Sequence, residues 1–90
     1  MIVLEQVRAI ALLLPEAEEH ATEGGAGFYV DGKPFATVSG EMPPVVRVRD
    51  ASGETPITLD ADVDWTLVED RIARSWELTA PRRLLEAGGR

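Results

Sequence analysis

Cysteine is absent from this 90-residue chain, so it has no disulfide, thiolate metal site or thiol nucleophile. Histidine occurs once, at His20, which leaves any imidazole-based site without a second ring. Long apolar runs are missing as well: the longest, Ala9 to Leu14, is far too short to span a bilayer. No basic leader opens the sequence, where Glu5 precedes Arg8, so a signal peptide is not expected and the default location is the cytoplasm. Positive charge is scarce: 9 basic residues stand against 16 acidic ones, a net −7. It is also uneven. Residues 1–45 hold only Arg8 and Lys33 against seven carboxylates, whereas residues 71–90 hold five arginines against Glu77 and Glu86. Such a domain is repelled on average by nucleic acid and by anionic membranes, and only the basic tail runs against that trend.

What is present suffices for one small domain. At 44% apolar and 28% charged residues the composition is that of an ordinary globular chain. At this length folding buries roughly two-thirds of the unfolded surface, so the core is modest. The clearest local signal is Phe28 to Val38, FYVDGKPFATV, in which two strand-forming runs flank Asp31-Gly32. An Asp-Gly pair suits a type I′ turn, which needs positive φ at both central residues and matches the strand twist. A two-residue loop pairs Val30 with Lys33, Tyr29 with Pro34 and Phe28 with Phe35. Phe28, Val30 and Phe35 then share a face that needs a cover.

Around the hairpin, the spacing of Val3, Val7, Ile10 and Leu14, widened by Leu4 and Ala11, predicts a helix over 2–14 that frays at its start and stops at Pro15. Residues 16–27 read as a solvated acidic loop with a pliable glycine approach to the hairpin. Within it Glu18, Glu19, His20 and Glu23 invite a metal or acid–base reading, which a lone histidine does not complete. Residues 39–44 form a turn-rich linker. Val45 to Arg49 alternates as a half-buried strand, with Val46 and Val48 on one face. After a turn at 50–53, Thr55 to Leu59 returns as a fourth strand, which Pro56 places at a sheet edge. Asp60, Asp62 and Asp64 imitate the opening of a calcium loop, yet Trp65 stands where its glycine belongs and Arg71 where its glutamate belongs. Asp64 reads instead as the N-cap of a helix over 65–79. Its inner stripe is Trp65, Val68, Ile72, Trp76 and Thr79; Leu67, Arg71, Arg74 and Leu78 fall on the other side. The two leucines either pack under neighbouring chain or offer a contact to a protein partner or second copy. Thr79 then caps a short helix from Arg82 to Ala87 that Gly88-Gly89 ends.

The order of these pieces resembles the MmcQ/YjbR family of small bacterial domains. The residues that carry the likeness are LLLPEAEEH closing the first helix, Phe28, Val30, Gly32, Lys33, Phe35 and Ala36 in the hairpin, VVRV in the next strand, and SWELTAPRRLLEA with its break at Ala80-Pro81. The likeness covers residues 4–48 and 57–86. It implies an α+β layer, and the residues predict an α+β fold with a four-stranded antiparallel sheet and the N-terminal and C-terminal helices packed on one face, in a single domain over 1–90. The chain departs from the family in its middle, where Asp50 to Glu54 replaces a helical insert and a Gly-Trp stretch. The family carries a provisional DNA-binding label, which implies phosphate contacts from Lys33, Arg47 and Arg49 or from Arg74, Arg82 and Arg83. The residues themselves favour a non-enzymatic binding or interaction module without a cofactor, ligand unnamed. DNA binding is the alternative, set against a net charge of −7.

Overall fold

The computed structural model describes residues 3–40 and 43–86. The first helix, α1 (Val3–Ala11), buries Val7 and Ala11 and packs Leu4 and Ile10 against the same core, which Leu14 joins from beyond the helix end. It is shorter than periodicity suggests. Leu12 N–H still bonds the Arg8 carbonyl at 2.9 Å, but Leu14 N–H turns to the Ala11 carbonyl at 3.1 Å. Pro15 disfavours the helical conformation in the residue before it, so the helix unwinds ahead of the proline.

The largest departure follows at once. The loop expected over 16–27 is instead strand β1 (Ala17–Thr22), a Glu23-Gly24 turn and the start of strand β2 (Gly25–Val30). With β3 (Lys33–Ser39), β4 (Val45–Asp50) and β5 (Gly53–Thr58) the sheet has five strands rather than four, an antiparallel meander in the order β1-β2-β3-β4-β5. The cause of the misreading is physical. β1 is an edge strand with no fully buried side chain, so it lacks the apolar alternation that marks a half-buried strand. Backbone pairing with β2, from Ala17 opposite Val30 to Thr22 opposite Gly25, holds it in place.

The Asp31-Gly32 turn has the expected geometry, with φ of 55° and 78°. Val30 pairs with Lys33 and Tyr29 with Pro34. Beyond them the register shifts, and Phe28 lies opposite Ala36 instead of Phe35. This bulge lets the consecutive residues Phe35 and Ala36 both bury, where strict alternation would turn one of them to solvent. On β4, Val46 and Val48 face inward while Arg47 and Arg49 face out. Pro56 sits on the edge strand β5; Ile57 packs on the core, and Leu59 is buried just past the strand end.

The second helix, α2 (Trp65–Thr79), matches its expected span, and Asp64 caps it by accepting from Thr66 N–H at 3.0 Å. It lies across β3 and β4 and buries Val68, Ile72, Ser75, Trp76 and Thr79. The Thr79 hydroxyl donates back to the Ser75 carbonyl at 2.8 Å rather than capping the final helix α3 (Arg82–Glu86), which buries Leu84. Both long helices and the inner side of the sheet feed one apolar cluster. The fraying start at Met1-Ile2, the Glu41-Met42 part of the linker and the Gly88-Gly89 terminator lie outside the described residues.

Trp76→Ala should cost about 3–5 kcal/mol of unfolding free energy in urea titrations; a midpoint close to the parent's would remove Trp76 from the core. Gly32→Val should destabilise more than substitutions at exposed positions outside the hairpin, because a β-branched residue is strained at positive φ. A neutral Gly32→Val would mean that the turn tolerates another conformation.

Candidate functional site

The helices cover one side of the sheet and leave the other open. Strand register fixes what that side carries. One row crosses all five strands as His20, Gly27, Thr37, Arg47 and Pro56; beside it run Glu18 with Tyr29, and Thr22 with Gly25 and Ser39. The Tyr29 ring lies back over Gly27, where a Cβ would come within 2.8 Å of its Cε1. It meets His20 edge to face, with centroids 5.0 Å apart and planes at 87°. Near this row a depression of about 290 Å³ is lined by Thr22, Gly24, Thr37, Val38, Ser39 and Arg47. A smaller notch of about 30 Å³, room for about one water, lies next to it between Pro34 to Thr37, Arg47 to Arg49 and Glu54.

The basic residues expected to contact DNA or a partner do not form one patch. Arg47 and Arg49 share the open side, whereas the Val30 pairing puts Lys33 on the helix-covered side, at the exposed hairpin end. Arg82 pairs with Glu86 at 2.9 Å on α3, and Arg83 grips Glu16 with two hydrogen bonds of 3.1 Å. Arg74 is exposed on α2. Among the described residues Lys33, Arg47, Arg49 and Arg74 make no ion pair.

The acidic stretch is likewise dispersed by the strand it forms. Glu19 turns toward the helices and takes a bidentate pair from Arg8, at 2.7 and 2.8 Å. Glu18 and His20 point to the open side, both exposed and 3.4 Å apart. No group of three or more His, Asp or Glu able to hold a metal occurs among the described residues. On the outer side of α2, Leu67 and Leu78 are exposed rather than packed under neighbouring chain. A groove of about 310 Å³ between α1 and α2 is lined by Gln6, Ala9, Ile10, Trp65, Thr66 and Glu69.

The sequence singles out Arg47 and Arg49 but not Thr22, Thr37 and Ser39, which share their side of the sheet. Their only signal is position: they become neighbours once β1 is a strand and the bulge has set the register. No described helix is long and apolar enough to cross a membrane. No family model, curated protein or solved structure matches the chain.

The ion pairs set a pH dependence. Hydrogen bonds from Arg8 and Arg83 hold the Glu19 and Glu16 carboxyls below their ordinary value of 4.5. The Thr55 and Ser52 hydroxyls do the same for Asp50. Groups whose pKa is lower folded than unfolded stabilise above the unfolded value and lose that contribution as pH falls through the folded one. Melting temperature should therefore drop on acidification below about pH 4.5, and Glu19→Gln should flatten the drop. An equal slope in the variant would show that the Arg8–Glu19 pair contributes nothing.

Proposed function

We propose that this chain is a small non-enzymatic binding module, a shortened relative of the MmcQ/YjbR family, and that the uncovered side of its sheet is the surface that receives a ligand. The observation that carries this reading is Arg47. It is exposed on an interior strand, in a chain of net charge −7, with no carboxylate partner among the described residues. Neither the core nor an ion pair accounts for it, and the same side adds Arg49, Tyr29 and His20. A cation left unspent on an otherwise acidic domain attracts a ligand of opposite charge.

DNA, suggested by the family's label, has less in its favour. Duplex binding asks for a continuous basic stripe. Here Arg82 and Arg83 are already held by Glu86 and Glu16, and Lys33 stands apart from Arg47 and Arg49. A catalytic reading rests only on the His20–Glu18 contact, which is long and solvent-exposed.

A ¹⁵N-labelled sample screened against small anions, cations and neutral aromatics should show amide shifts gathered on residues 18–29 and 37–49. Shifts gathered on Gln6, Ile10 and Thr66 would move the site to the groove between α1 and α2. Duplex DNA at near-physiological salt should bind no tighter than about 10⁻⁴ to 10⁻⁶ M.

A further inference from the structure

We propose that the depression beside Arg47 is a site for a small phosphate monoester. This deepens the open-face reading and rests on it. The four donors come from three strands. Thr37 and Arg47 stand opposite each other on β3 and β4, Ser39 lies two residues along the same face, and Thr22 reaches in from β1 across Gly25. All four line one cavity, and no carboxylate lines it among the described residues.

Each donor is unspent. The Ser39 hydroxyl oxygen accepts from Val45 N–H at 3.2 Å, which anchors the side chain and leaves its own proton without an acceptor among the described residues. The Thr22 and Thr37 hydroxyls have no hydrogen-bond partner among the described side chains, and Arg47 makes no ion pair there. One guanidinium and three hydroxyls can satisfy more acceptors than the two oxygens of a carboxylate offer. The three non-bridging oxygens of a phosphate monoester use the whole set, and a planar guanidinium fork suits them. The cavity of about 290 Å³ is at the small end for organic ligands, so it takes the head group with a compact carrier.

Two glycines of the neighbouring strand β2 are fixed by close contacts. A Cβ on Gly27 would strike the Tyr29 ring, and one on Gly25 would lie 1.9 Å from the Val38 carbonyl oxygen. Larger residues there would displace the β3 backbone or the Tyr29 ring.

The test is an NMR titration of the ¹⁵N-labelled protein with inorganic phosphate, phenyl phosphate and benzoate. Both phosphates should shift the amides of Thr22, Thr37, Ser39 and Arg47, with benzoate weaker. Arg47→Gln should weaken phenyl phosphate about tenfold, and Thr37→Val should weaken it by a smaller factor; both should keep the parent's spectral dispersion. Arg71→Gln, on the far side of α2, should bind as the parent does. Equal affinity of Arg47→Gln and the parent would overturn the assignment, as would no response to millimolar phosphate. Benzoate binding as tightly as phenyl phosphate, with shifts still on the open side, would overturn the phosphate assignment and leave the open-face reading standing. Shifts on Gln6, Ile10 and Thr66, or on Arg82 and Arg83, would overturn both.

Discussion

One turn of α2 holds the architecture together. Ser75 is fully buried, and its hydroxyl donates to the Phe35 carbonyl while accepting from Arg49 N–H at 2.8 Å. The registered β3–β4 pairing runs only from Ala36 opposite Val48 to Val38 opposite Val46. Phe35 and Arg49 would come next, but the bulge at Phe35 has opened the ladder there, and a helix side chain bridges the gap. Leaving those two backbone groups unpaired would cost about 1–3 kcal/mol each. The next residue, Trp76, donates its indole N–H to the Pro15 carbonyl at 3.1 Å and so ties the same turn to the junction of α1 and β1. Two adjacent residues thus join the hairpin, the central strands and the first helix.

The open side of the sheet is a consequence of that arrangement. Both helices pack on the inner face, so the outer face of three interior strands is left to solvent, and polar or small residues occupy it. Antiparallel sheets tolerate such an arrangement because alternation separates the two faces. The Tyr29 ring laid over Gly27 and the depression beside Arg47 give that face relief instead of a flat surface. Relief and unspent donors in one place distinguish it from an ordinary solvated sheet.

Charge is distributed with similar economy. Arg8 and Arg83 are both engaged by glutamates of the β1 segment, Glu19 and Glu16, which binds the edge strand to α1 and α3. The acidic stretch therefore anchors an edge strand through ion pairs and backbone pairing, and Arg47 and Arg49 make no ion pair among the described residues on the opposite side.

Much of this was determined by the sequence alone, wherever the cause is local. Asp31-Gly32 fixes its turn because only certain residues accept positive φ, Asp64 caps because its carboxylate reaches the amides ahead of it, and the stripe from Val68 to Thr79 buries because of helical period. Alternation also put Arg47 and Arg49 on the face away from Val46 and Val48. Tertiary structure decided the rest. Ala17 to Thr22 has no large apolar residue on either side and carries no strand pattern; it is a strand because β2 offers a free edge and Arg8 a partner for Glu19. The Phe28–Ala36 register depends on a bulge that only packing against α2 rewards. Thr22, Thr37 and Ser39 meet at Arg47 through those two non-local choices, and no spacing along the chain encodes a contact that three strand pairings must first create.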